Sequence, residues 1–361
     1  EHHNIPIVET IAGRGMMLHD HPNNAGPLGV IGSSSANALA EEADVILAVG
    51  TRLQDFTTGS WSVFGNEKMR LISLNAARYD AHKHRALSVV GDALVGIEEL
   101  GKSLADWSGS ESWTSKAGTL YAEWNRTIEE HSGKTDTVPP SYAHVVGAVN
   151  RVCDDTDLAL TASGGFPGEL CKNWKTKTVG TFDCEFGFSC MGYEIAGGWG
   201  AKMADPSRDV IVFVGDGAYL MLNSDVYSSV LTGHKMIIIL CDNGGFGVIN
   251  RLQNFKGSAS FNNLLEDSKV EHLEYVDFVQ HAKSMGALGE QVESISELEA
   301  AFKRAKAAGR TYLISIKVQQ HQWTPGDAWW DVGVPEVSQR KEVRLAHADH
   351  SEGQKKQRIG V

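Results

Sequence analysis

Short apolar runs alternate with stretches of helical period along most of the chain. Residues 45–49, 71–74, 158–161, 210–214, 236–241 and 312–318 are rich in Val, Ile and Leu, with little polar alternation. Such runs predict strands buried on both faces, as parallel sheets require. Between them, helical spacing predicts helices over 37–42, 92–104, 120–130 and 141–152. A further helix before the last strand is signposted at both ends. Ser296 and Glu299 make a capping-box pattern, Leu298, Phe302 and Ala305 share a face, and Gly309 stands where a C-cap belongs. Strands alternating with helices predict an α/β protein of two doubly wound, parallel-sheet domains.

The passage 107–118 mixes Ser, Trp and Gly and reads as irregular. The stretch ending in Pro139-Pro140 reads as a linker. The expected organisation is therefore a partial first domain over 1–106, a linker with one helix over 107–140, a second domain over 141–338 and a polar tail over 339–361. A chain of 361 residues is long enough for two cores.

Composition narrows the function classes. The net charge of -12 disfavours a nucleic-acid backbone as partner. No apolar run approaches the roughly 20 residues of a membrane helix. The five cysteines form no CxxC pair, which fits reduced thiols and a cytoplasmic protein. The opening Glu1-His2-His3-Asn4 resembles neither a signal peptide nor a natural start, so a fragment is expected.

In open α/β sheets, ligands sit beyond the carboxyl ends of the strands. After the run 210–214 comes Gly215-Asp216-Gly217-Ala218, and after 236–240 comes Cys241-Asp242-Asn243-Gly244-Gly245-Phe246-Gly247. Asp216 and Asn243 are 27 positions apart, the length of one helix and one strand between neighbouring strand ends. Mg²⁺ takes oxygen ligands in octahedral array and shares substrate phosphates. The Asp216 carboxylate, the Asn243 amide oxygen and the Gly245 carbonyl would supply three of those oxygens. The flanking glycines would let the backbone approach a diphosphate, and a helix starting near Leu220 would aim its amides at the same anion.

These residues resemble the thiamine-diphosphate enzymes of the acetolactate-synthase superfamily. Gly215-Asp216-Gly217 through Asp242-Asn243 is similar to that family's cofactor motif, except that Asp242 replaces the first Asn of the terminal pair. Gly187-Phe188-Ser189-Cys190-Met191-Gly192-Tyr193 resembles the segment that receives the aminopyrimidine ring, with Met191 as the apolar wedge. Ala162-Ser163-Gly164-Gly165-Phe166 resembles the family's other diphosphate-contacting loop. Gly13-Arg14-Gly15, His21-Pro22, the stretch from Ala43 to Arg52 and Val90-Gly91-Asp92 look like the family's middle domain.

The metal loop with Phe261-Asn262-Asn263-Leu264-Leu265, and the segment Trp323 to Ser338, are similar to the inositol-catabolic branch. That resemblance implies thiamine diphosphate and Mg²⁺ as cofactors and hydrolytic opening of a small cyclic diketone to 5-deoxyglucuronate. It also implies a homodimer or homotetramer. The runner-up is a carboligase sharing the same cofactor site; a non-catalytic binding or assembly module is the reading of a different class.

The carboxylate that activates the cofactor is expected in a pyrimidine-binding domain that no segment here resembles. The catalytic residue is therefore unassigned, and this chain alone is expected to be inert. His321, Trp323, Trp329 and Asp331 follow the last strand, either as a flap over substrate or as terminal packing. His19-Asp20-His21 and His82-Lys83-His84 read as solvated loop histidines rather than metal ligands.

Overall fold

The computed structural model describes residues 1–358. It divides into two compact units. The first comprises Glu1–Ile11, Asp20–Arg126 and residues 325–358; the second comprises Ala12–His19 and Thr127–Thr324.

The first unit opens with β1 (Ile7–Glu9) and β2 (Asn24–Pro27), a parallel pair. Then come α1 (Ser34–Glu42), β3 (Val45–Val49), α2 (Asp55–Thr58), β4 (Arg70–Asn75), α3 (Arg78–Ala81), β5 (Leu87–Val90) and α4 (Ala93–Leu104). Strands β3, β4 and β5 form a three-stranded parallel sheet in that order. Ser33 caps α1 and Asp92 caps α4, each side chain accepting a first-turn N–H. Helix α5 (Glu111–Ser132), whose residues from Thr127 on are counted with the second unit, starts inside the passage that reads as irregular. Ala117, Tyr121, Trp124 and Ile128, all buried, recur at helical spacing and explain why.

The second unit carries α6 (Tyr142–Val152), β6 (Leu158–Thr161), α7 (Phe166–Asn173), β7 (Phe182–Cys184) and α8 (Tyr193–Ala204). It continues through β8 (Val210–Gly215), α9 (Asp216–Met221), α10 (Asp225–Thr232), β9 (Ile237–Asp242) and α11 (Gly247–Phe255). Last come α12 (Phe278–Ser284), β10 (Leu288–Val292), α13 (Ile295–Ala307) and β11 (Tyr312–Lys317). Its six strands are all parallel, in the order β10-β11-β9-β8-β6-β7. Val210 to Val214 and Ile237 to Cys241 are shielded almost completely, so both faces of the central strands are covered. That is why these strands read as unbroken apolar runs.

Three local expectations need correction. Helix α13 is capped by Ser294 rather than Ser296, because the earlier start buries Ile295 in the first turn and leaves Glu299 to meet Arg151 at 2.9 Å. The helix ends at Ala307, with Ala308 rather than Gly309 as its cap. Helix α9 begins at Asp216, earlier than Leu220.

The compact units also differ from the expected boundaries. Residues 325–338 pack with the first unit, and the stretch expected as a polar tail contains α14 (Lys341–Gln354). Among the described residues, no helix is long and apolar enough to cross a membrane.

Candidate functional site

Register decides the site. Gly215 on β8 pairs with Cys241 on β9, so the two strands end side by side and their next residues meet. The Gly245 N–H donates to the Asp216 carboxylate at 2.7 Å and to the Asn243 side-chain oxygen at 3.1 Å. One backbone amide therefore collects both oxygens. Gly245 sits at φ +145°, and a Cβ there would come within 2.4 Å of the Asn263 carbonyl oxygen, so the turn requires glycine.

The electrostatics of this corner are unfavourable to a bare carboxylate. Burial, with the nearby Asp242 charge adding to it, pushes Asp216 up to about 7. Asn243 is fixed by its surroundings. Its amide nitrogen donates to the Tyr142 hydroxyl at 2.9 Å, and its backbone carbonyl accepts from Gln320 at 2.9 Å. Tyr142 is itself buried, and burial drives its hydroxyl far above the usual range, so it serves as a neutral partner.

The other expected segments lie on the same strand ends. Ser163-Gly164-Gly165 follows β6, next to β8 in the sheet. The Met191 methyl lies 3.6 Å from where a Cβ on Gly217 would stand, with the Phe246 ring at 2.8 Å. The structure thus brings Met191, Gly217 and Phe246 together. Ala218 is buried in α9, and Gly247 opens α11. Ser189 donates to the Ala162 carbonyl at 3.1 Å, tying the segment before α8 to the loop after β6. Glu185 gathers the N–H groups of Gly187, Phe188 and Cys190. Burial alone would raise its carboxyl, but those donors outweigh it and hold it below the usual range.

The four residues expected beyond the last strand separate. His321 is exposed and lines a cavity of about 730 Å³ with Asn243, Lys317 and Tyr275. Trp323 stacks on Tyr142 at 5.5 Å, and its ring would be 2.7 Å from a Cβ on Gly165. Thr324, next in the chain, donates twice to Glu169 and accepts from the buried Lys172 at 2.8 Å. Trp329 and Asp331 belong to the first unit instead. There Asp331 accepts from His350 at 2.6 Å and from Gln357 at 3.0 Å. The four residues thus divide between the two units, His321 and Trp323 in the second and Trp329 and Asp331 in the first.

The paired histidines also have local partners. His82 contacts the Arg78 carbonyl and Ser88, His84 stacks on Trp61, and His21 accepts from the Asn23 N–H. Among the described residues there is no group of three or more His, Cys, Asp or Glu side chains suited to a metal. At Asp216 and Asn243 the arrangement is of another kind, a carboxylate and an amide oxygen that meet at one backbone N–H.

Sequence reasoning missed Tyr142, Gln320, Glu185 and Glu194. Glu194 carried the one available signal, a lone acid in the otherwise apolar and glycine-rich start of α8, and that pattern also suits an ordinary first-turn acid.

The chain belongs to the thiamine pyrophosphate enzymes. It matches the family described as "Thiamine pyrophosphate enzyme, C-terminal TPP binding domain" over residues 163–316, and the corresponding "central domain" over residues 1–100. It is similar to 3D-(3,5/4)-trihydroxycyclohexane-1,2-dione hydrolase from Geobacillus thermodenitrificans, 36% identical over 98% of this chain and 60% of that protein. The proteins of that name from Bacillus thuringiensis and Clostridium tetani are 35% and 34% identical. Those alignments cover 95% and 96% of this chain, and 58% and 59% of the relatives. The chain thus spans about 60% of the length of the curated relatives it matches.

Proposed function

We propose that the chain is the cofactor-holding part of a thiamine-diphosphate- and Mg²⁺-dependent enzyme that hydrolytically cleaves a carbon–carbon bond of trihydroxycyclohexane-1,2-dione, giving 5-deoxyglucuronate in inositol catabolism. The observation that carries the reading is the convergence of the Asp216 and Asn243 oxygens on one backbone N–H at adjacent strand tips. The donor set suits Mg²⁺, which prefers oxygens and shares phosphates. A divalent cation would also stabilise the Asp216 carboxylate, whose charged form burial disfavours. The names of the relatives support the substrate.

In this reading Asp216, Asn243 and the Gly245 carbonyl would hold the metal. Gly164, Gly165, Ser189, Gly215, Gly217, Ala218, Phe246 and Gly247 would shape the cofactor bed, and Met191 would supply its apolar wedge. Tyr142 keeps the Asn243 amide nitrogen from turning toward the cation, and Gln320 holds the Asn243 backbone. When bound, thiamine diphosphate supplies the nucleophilic carbon centre, and the protein supplies placement and electrostatics. Trp323 packs on the loop holding Gly165, so its contribution is to hold that loop. His321, on the open cavity, is the better candidate to meet substrate. A cytoplasmic homo-oligomer taking a small cyclic diketone completes the reading.

Calorimetry of the chain with Mg²⁺ and thiamine diphosphate tests it. Binding that needs both ligands, and is lost in Asp216→Asn, is expected. Binding unaffected by that substitution overturns the metal assignment. Ring-opening turnover is expected of the complete protein and not of this chain, because no segment here resembles the domain that carries the activating carboxylate. Assaying the complete protein with pyruvate and with the cyclic diketone separates the hydrolase from a carboligase.

A further inference from the structure

We propose that Glu194 is a positioning residue of the cofactor site, a staple that sets the separation between the loop facing the diphosphate and the loop facing the aminopyrimidine ring. The proposal rests on the cofactor reading above.

Glu194 is fully shielded from solvent on the first turn of α8. One carboxyl oxygen accepts from the Ser163 N–H at 3.0 Å and the Ser163 hydroxyl at 3.1 Å. The other accepts from the Gly192 N–H at 2.8 Å. Ser163 immediately precedes Gly164-Gly165, and Gly192 immediately follows Met191. One carboxyl group thus bridges two segments about thirty positions apart in sequence, each on the cofactor side of the strand ends.

The arrangement costs stability and would not be needed for packing alone. A buried carboxyl group carries a desolvation penalty that an apolar side chain of similar volume avoids. The groups acting on Glu194 are hydrogen-bond donors of the two loops, and burial still leaves its carboxyl above the usual range. What a carboxyl group provides that an apolar side chain cannot is direction. It turns the Ser163 and Gly192 amides toward one point.

The consequences run to the wedge. Gly192 sits at φ +98°, and a Cβ there would come within 2.4 Å of Leu222, at the end of α9. The carbonyl side of Met191 is therefore held between Glu194 and the helix that begins at Asp216. Met191 in turn rests beside Gly217. The Ser189 hydroxyl bond to Ala162 is a second tie between the same loops. Glu185 makes the second loop internally stiff, so the staple moves that loop as one piece.

The test uses two probes that differ only in whether they span both loops, Mg²⁺ with inorganic pyrophosphate and Mg²⁺ with thiamine diphosphate. Calorimetry compares the wild-type chain with Glu194→Gln, Ser163→Ala and Ser189→Ala, with far-UV circular dichroism as the folding control. Glu194→Gln keeps the volume but turns an N–H toward one of the donors. It is expected to weaken thiamine diphosphate about tenfold or more while changing pyrophosphate by no more than about threefold, the loss of one or two buried hydrogen bonds falling on the ligand that needs both loops. The serine variants shift the ratio the same way by less. Equal loss of both probes, or no loss of either, in a folded Glu194→Gln variant overturns the proposal. If that variant does not fold, an unchanged ratio in both serine variants overturns it. A wild-type chain that binds neither probe removes the cofactor reading, and the staple with it, which is a distinguishable result.

Discussion

The two parallel sheets of this chain are built from similar residues and are covered very differently. In the second unit, β8 and β9 are sealed on both faces, and residues such as Val212 and Ile238 have no exposed surface. In the first unit, β3 and β5 leave Val45 53% and Leu87 67% exposed, and α4 buries none of its residues. A strand packed on both sides cannot slide or tilt without opening voids. Its tip is therefore a fixed point, and two such tips side by side can hold an Asp and an Asn within reach of one cation. The half-covered sheet offers no comparable anchor, and its polar groups are spent on caps and turns, as Asp92 and Asn75 show.

The largest expected difference is in stability. Ile238→Ala in the sealed sheet should cost about 2–5 kcal/mol, and Leu47→Ala in the half-covered sheet well under that, about 1 kcal/mol or less. Chemical denaturation followed by circular dichroism measures both, and equal costs would remove the contrast. Next in size is Gly245→Ala. Strain at φ +145° should cost about 1–3 kcal/mol and displace the turn that collects the Asp216 and Asn243 oxygens. Thiamine diphosphate titrated with Mg²⁺ should then show no saturable binding, whereas a substitution at Gly91, where an added Cβ meets open space, should leave it unchanged.

Tyr142→Phe comes third. It leaves the Asn243 amide nitrogen without its acceptor, a loss of about 1–3 kcal/mol for a buried group. About a tenfold drop in Mg²⁺-dependent affinity is expected; retained affinity would show that Asn243 keeps its orientation without help.

The smallest effect belongs to the first unit. Burial alone would raise the Asp331 carboxyl, but bonds from His350, Gln357 and Gln354 outweigh it and hold it below the usual range. A carboxyl depressed in the folded state contributes stability above its unfolded value near 4, and that contribution is lost as pH falls through the folded value. Asp331→Asn should therefore cost up to about 1 kcal/mol at pH 7 and progressively less below about pH 4, read from thermal melts at both ends. A constant difference across that range would assign the effect to packing instead.

Some of this was plain from the residue order. The central strands and the pair of motifs at their ends could be read directly, because burial on both faces writes itself as a run of Val and Ile. Strand β2, Asn-Ala-Gly-Pro, could not, since all four residues are buried without an apolar pattern. Trp329 and Asp331 look like the continuation of a flap, yet they pack in the first unit.

The amino-acid sequence by itself determined the parallel α/β class, the strand tips that carry Asp216 and Asn243, and the thiamine-diphosphate family. Each follows from local chemistry: buried strand runs, turn-forming glycines, and oxygen donors placed just after them. Only the tertiary structure decided that Tyr142 and Gln320 hold Asn243, that Glu194 joins Ser163 to Gly192, and that Asp331 serves α14. Those pairings link residues far apart in the chain, and only sheet register and packing bring them within a hydrogen bond of one another.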